Sequence, residues 1–88
     1  MIVAPRLTLI TRHDCHLCEE MVAVIDQIAP RFGAQVDVRD VDADPELLAL
    51  YTDEVPVLLI NDRKAFKYRV TASELERRLR AAERGRST

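Results

Sequence analysis

Cys15 and Cys18 stand three positions apart, between a short apolar run, Arg6-Leu7-Thr8-Leu9-Ile10, and an amphipathic pattern that begins at Leu17. On a helix, residues i and i+3 share a face, and their Cα atoms lie roughly 5 Å apart. A disulfide forms without backbone movement when that separation is about 4.4–6.8 Å. The pair can therefore pass between dithiol and disulfide with little rearrangement, which suits a reversible redox centre. It is a poor staple: these are the only 2 cysteines in 88 residues, and closing so small a loop restrains little of the unfolded chain. Chains that hold a weak core together with disulfides usually carry four or more cysteines.

The rest of the chain supplies a frame for that pair. Residues 6–10 are β-compatible and are read as the first strand. Leu17, Met21, Val24, Ile25 and Ile28 recur at spacings of three and four, with Glu19, Glu20, Asp26 and Gln27 off the stripe, so a helix follows. Pro30 and Gly33 end it between 29 and 32. Gln35 to Val41 alternates polar and apolar, predicting a second strand with its valines on one face. Asp44 is a natural N-cap and Pro45 a natural first helical residue for a short helix through Tyr51. Val57-Leu58-Leu59-Ile60 reads as a buried strand, Asn61-Asp62 starts a turn, and Ala65 to Val70 is expected to return antiparallel. Thr71-Ala72-Ser73-Glu74 matches a capping box ahead of a last helix whose stripe is Ala72, Leu75, Leu79 and Ala82. Arg84 to Thr88 is expected to be a frayed tail. The order is βαβαββα. A βαβ start implies a parallel strand pair and the later hairpin adds antiparallel strands, which predicts a single α/β domain over 1–88 with a four-stranded mixed sheet flanked by helices.

Composition narrows the function classes. With 48% apolar and 32% charged residues the chain is a globular one. No apolar run is long enough to span a membrane. Pro5 and Arg6 follow the first four residues at once, unlike a secretory signal, so a cytoplasmic location is expected. Residues 1–60 carry 4 Lys/Arg against 11 Asp/Glu, and residues 61–88 carry 9 against 4. That asymmetry either steers a charged partner or simply keeps a small protein soluble. Asp62, Glu74, Glu76 and Glu83 interleave with the basic residues and aromatics are few, which argues against nucleic acid.

A C-x-x-C between the first strand and first helix of such a chain marks thioredoxin-like redox domains. Across roughly residues 6–82 the sequence resembles the glutaredoxin-like branch of that superfamily, and in particular its short bacterial members. The resemblance is carried by Cys15-His16-Leu17-Cys18, by Asp44-Pro45-Glu46-Leu47 and by Val55-Pro56. It implies a thioredoxin-like fold, Cys15 as the catalytic nucleophile and Cys18 as the resolving cysteine. It also implies a cis bond before Pro56 beside the active site, with the Val55 backbone meeting substrate. Arg12 takes the place of the basic residue that glutaredoxins set near the glutathione carboxylate. Two departures are visible. His16-Leu17 replaces the usual Pro-Tyr, and the Gly-Gly pair that holds one end of glutathione is missing, its place falling near Phe66-Lys67.

The chemistry expected from these residues is two-step thiol–disulfide exchange. Cys15 at a helix N-terminus meets unpaired N–H groups and the positive dipole end, which favour its thiolate. Arg12 and protonated His13 and His16 add to that effect, and the exposed, screened Asp14, Glu19 and Glu20 oppose it without reversing it. His16 either tunes the thiolate and touches substrate or is a solvated surface histidine. Arg12, His16, Val55 and Pro56 are thus the expected substrate-binding residues. His13, Cys15, His16 and Cys18 form an alternative zinc set. Closed sites usually draw ligands from two separated segments, so no metal is expected. No cofactor is expected to stay bound. An external thiol reductant, glutathione or a thioredoxin-reductase system, must restore the dithiol. Expected partners are a disulfide-containing protein or small-molecule disulfide and a reductase, with the chain itself monomeric. Competing readings are a metal-delivery module and a thiol sensor on the same fold.

Overall fold

In the computed structural model, residues 4–86 are described. The chain runs through β1 (Arg6–Thr11), α1 (His16–Ile28), β2 (Gln35–Asp40), α2 (Pro45–Tyr51), β3 (Val57–Ile60), β4 (Arg63–Lys67) and α3 (Ala72–Arg86), with 3-10 turns at Ala29–Phe32 and Val41–Ala43. The four strands form one sheet in the order β2-β1-β3-β4. β1 pairs parallel with β2, from Arg6↔Gln35 to Thr11↔Asp40, and antiparallel with β3, from Leu7↔Ile60 to Ile10↔Val57. β3 and β4 complete an antiparallel hairpin. This is the four-stranded mixed sheet expected from the element order, in the thioredoxin-like arrangement that the resemblance implied.

Side chains alternate across the strands, so the sheet has two apolar faces. On one, Leu7, Leu9, Leu58 and Ile60 pack against Met21, Ile25 and Ile28 of α1 and Leu75 and Leu79 of α3. On the other, Ile10 and Val57 join Val41 in a smaller cluster covered by Leu47 and Tyr51 of α2. β1 is paired on both sides and buries Leu7, Leu9 and Ile10, and the cysteine loop emerges from its end.

Local signals explain most boundaries. Asp44 accepts the Glu46 N–H at 2.9 Å and Pro45 opens α2. At α3, Thr71 Oγ1 accepts the Glu74 N–H at 3.1 Å while Glu74 Oε1 accepts the Thr71 N–H at 3.0 Å. Gly33 closes the turn after α1 in the left-handed region, at φ 62°, a conformation that glycine adopts at no steric cost.

Several boundaries differ from expectation. β2 ends at Asp40 rather than Val41: Val41 opens the 3-10 turn and packs with Ile10 and Val57 in the smaller cluster, so it does not share the face of Val36 and Val38. β4 spans 63–67 rather than 65–70, because Asn61 and Asp62 both take positive φ (51° and 69°) and make the whole turn by themselves. A two-residue turn of that twist lets the ladder restart at once. The strand stops before Tyr68, itself at φ 68°, and Val70 instead joins the main core. The last helix continues to Arg86, so residues 84–86, expected in a frayed tail, are helical. Residues 87–88 of that expected tail lie outside the described residues. Val36 and Val38 of β2 do share a face with Leu7 and Leu9, but they lie at the sheet edge and stay 40% and 56% exposed.

Candidate active site

Thr11 ends β1, and the chain turns through Arg12, His13 and Asp14 into α1. Asp14 sits at φ 55°, a conformation in which Asp is tolerated better than most residues. Cys15 follows as the N-cap of α1: its backbone is extended and its Sγ accepts the Cys18 N–H at 3.1 Å. Its carbonyl accepts the first helical bond, from Glu19, at 3.2 Å. The sulfur therefore occupies the position where a helix N-terminus most needs an acceptor. Cys18 lies one turn on, buried at 4% exposure, and joins Cys15 in a disulfide with a Cα separation of 5.2 Å. Cys15 is half-buried.

Arg12 is committed within the protein. Its Nε and Nη2 donate to the two Asp42 oxygens at 2.9 and 3.0 Å, and Nη1 and Nη2 reach the Thr52 carbonyl and hydroxyl at 2.9 and 2.8 Å. The hydrogen bond with Asp42 holds the Arg12 proton more tightly and keeps the Asp42 carboxyl below its ordinary range. The residue expected near a ligand carboxylate thus ties the cysteine loop to the 3-10 turn after β2 and to the end of α2. Neither Asp42 nor Thr52 carries a signal in the sequence that foretells this clamp.

The histidines sit on the rim. His13 Nε2 stands 3.4 Å from Asp40, and His16 stands 3.8 Å from Glu19 and 3.4 Å from Glu20, both imidazoles being highly exposed. Among the described residues no three His, Cys, Asp or Glu side chains come together as a metal set, so the His13, Cys15, His16 and Cys18 ligand group does not converge.

Val55-Pro56 is cis. The Ile10↔Val57 pair places Pro56 next in line beside Thr11, at the end of the sheet where the cysteine loop leaves. Pro56 is buried and Val55 half-buried. Tyr68, just past β4, straps this loop: its N–H donates to the Pro56 carbonyl at 2.8 Å and its hydroxyl to the Asp53 carbonyl at 2.9 Å. Lys64 adds an ion pair to Glu54 at 2.6 Å, which lowers the carboxyl and raises the ammonium pKa. Tyr68 is a site element that the sequence reading did not single out, because a lone tyrosine after a strand carries no spacing signal.

A groove of about 370 Å³ runs beside the disulfide between α1 and β2, with Cys15, Cys18, Val22 and Val38 among its walls. A larger cleft of about 660 Å³, lined by Arg6, Thr8, Asp37 and Arg39, lies on the sheet face that α2 leaves open. It does not contain the cysteines.

The fold and this strand–Cys-x-x-C–helix geometry agree with the family comparison. The model of the glutaredoxin-like domain (DUF836) matches residues 6–80. The chain belongs to that glutaredoxin-like family. Target protein XcR50 from X. campestris is 35% identical over 85% of this chain and 96% of its own, with a TM-score of 0.71. Protein Ne2328 from Nitrosomonas europaea is 29% identical over 90% and 95%, with a TM-score of 0.74. Thioredoxin 1 from Thermosipho africanus, at 19% identity, 94% and 99% coverage and a TM-score of 0.68, is alike in fold. Among the described residues of the glutaredoxin-like domain, no helix is long and apolar enough to cross a membrane.

Proposed function

We propose that the protein is a thiol–disulfide oxidoreductase that reduces disulfides in proteins or small molecules. The observation that carries this reading is the Cys15 sulfur at the N-cap of α1, accepting the Cys18 N–H, with Cys18 already at bonding separation. A thiolate in that position gains a charge-assisted hydrogen bond and the positive end of the helix. In the reaction, the Cys15 thiolate attacks one sulfur of R–S–S–R′, forming Cys15–S–S–R′ and expelling R–S⁻, which takes up a proton. Cys18 then loses its proton and attacks the Cys15 sulfur, expelling R′–S⁻ and leaving the Cys15–Cys18 disulfide. Two electrons pass to the substrate, and an external thiol reductant returns them in a reducing compartment such as the cytoplasm.

The favoured reductant is a protein dithiol of the thioredoxin-reductase kind rather than glutathione. Arg12 is held by Asp42 and Thr52. At the start of α3, where a ligand carboxylate would seek free amides, the reciprocal Thr71–Glu74 bonds occupy two of them and bring in the Glu74 carboxylate. Those bonds also keep the Glu74 carboxyl below its ordinary range.

Thiol counting across a series of redox buffers tests the proposal: Cys15 and Cys18 interconvert between dithiol and intramolecular disulfide. Cys18→Ser leaves substrates trapped on Cys15 as mixed disulfides, whereas Cys15→Ser traps none. A pair that stays in one state across the series refutes the reading. Parallel turnover assays with glutathione and with a thioredoxin-reductase system decide the reductant, with weak or no turnover expected for glutathione.

A further inference from the structure

We propose that the groove between α1 and β2 is the docking site for an extended polypeptide segment whose reactive cysteine is flanked by lysine or arginine. The inference rests on the redox reading of Cys15 and Cys18 and assigns that site a substrate class.

β2 leaves an apolar surface uncovered beside the disulfide. Val38 is the register partner of Leu9 and lies on the same sheet face, yet Leu9 is 1% exposed and Val38 56%. The next valine on that face, Val36, is 40% exposed. Cys18, Val22 and Asp26 follow one another at four-residue steps on α1, so one stripe of the helix runs from the disulfide along the groove. Val22 and Val38 both border the groove that opens on Cys15 and Cys18. β2 is an edge strand, and an extended segment laid along such an edge meets alternate side-chain sites and unpaired backbone groups. An apolar residue of the segment thus finds a surface beside the cysteine under attack.

The electrostatic part sets the partner's sign. Asp14 and Glu19 border the groove and are exposed. Asp40 and Asp42 stand behind its loop wall, Asp40 facing His13 and Asp42 neutralising Arg12. Among the described residues lining the groove, Arg12, held in that pair, is the one Lys or Arg. Arg39, next to Val38 on β2, is paired with Asp37, and Asp37 lies on the opposite sheet face, in step with Thr8. A segment reaching the disulfide through this groove therefore enters a negative field, which attracts lysine and arginine and repels anionic thiols.

The test uses three short peptides, each bearing one cysteine as a mixed disulfide with 2-thiopyridine, with Lys, Ser or Glu flanking the cysteine. Attack by reduced protein places the peptide on Cys15 and releases uncharged thiopyridone, read by absorbance. At about 10 mM salt the Lys peptide is expected to react at least about tenfold faster than the Glu peptide, a ratio that collapses towards about two at roughly 0.5 M. Removing the rim charges with Asp14→Asn plus Glu19→Gln, which keeps a residue tolerant of positive φ at position 14, lowers the ratio. Placing a cation in the groove with Val38→Lys lowers it as well. The ratio is taken within each protein, so altered thiol reactivity cancels, and circular dichroism confirms that each variant is folded. A wild-type ratio near one at low salt, or one that neither variant changes, overturns the inference. The Ser peptide separates the two readings: if it reacts and Cys18 then releases it while the three rates are equal, docking fails and the oxidoreductase stands. If no peptide reacts, both fall.

Discussion

Leu9 and Val38 are neighbours across a parallel ladder, point to the same side of the sheet and have similar chemistry, yet truncating them is predicted to have very different consequences. Leu9, 1% exposed, is enclosed between α1 and α3. Leu9→Ala removes buried methyl groups and leaves a cavity between fixed elements, which costs about 2–5 kcal/mol. Val38→Ala removes about two methylene equivalents, worth roughly 1.6 kcal/mol if fully buried. At 56% exposure less than half of that applies, about 0.7 kcal/mol. A chain of this size unfolds in urea with a slope of roughly 1.25 kcal/mol/M. The urea midpoint is then expected to fall by about 1.6 M or more for Leu9→Ala and by about 0.6 M for Val38→Ala. The measurement is equilibrium unfolding followed by circular dichroism, with the cysteines oxidised throughout so that disulfide reduction does not mix with unfolding. If Val38→Ala lowers the midpoint as far as Leu9→Ala does, Val38 is a core residue, and the reasoning that makes it the wall of an open groove is refuted.

Acid titration probes the Arg12 clamp. Asp42 is held below its ordinary carboxyl range by its hydrogen bond to Arg12, so the unfolded chain binds the proton more readily than the folded one. The stabilisation is therefore complete above the unfolded value and is lost as pH falls through the lower folded value. Asp42→Asn removes this contribution, and the stability gap between wild type and variant, measured by denaturant unfolding, is expected to narrow as the solution is acidified; a gap independent of pH would contradict the pairing. Tyr68→Phe keeps the ring and the backbone bond to Pro56 while deleting the hydroxyl that binds the Asp53 carbonyl. One exposed hydrogen bond contributes about 1 kcal/mol or less, so stability should change little, while the KM for disulfide peptides rises. An unchanged KM would mean that the loop needs no strap from Tyr68.

Much of the candidate site is local, and to that extent it was legible in the residues. The Cys15–Cys18 spacing, the Asp44-Pro45 start and the Thr71–Glu74 capping box act within one turn of chain, and their hydrogen bonds follow from residue type and spacing alone. Arg12 could not be understood in that way. Its partners stand 30 and 40 positions away, so folding decides whether its charge faces a ligand or an internal carboxylate. Tyr68 is similar, since its hold on Asp53 exists only because the β3–β4 hairpin brings them together.

By itself the sequence determined the element order, the mixed sheet and the position of both cysteines at the start of a helix, because periodicity, caps and turn residues act at short range. Only the tertiary structure decided which apolar residues are core and which are surface. Alternation places Leu9 and Val38 on one face alike; the cover provided by α1 and α3 reaches Leu9, and Val38, on the edge strand, remains open beside the disulfide. Burial depends on what packs over a residue from distant parts of the chain, and no pattern within the strand records that.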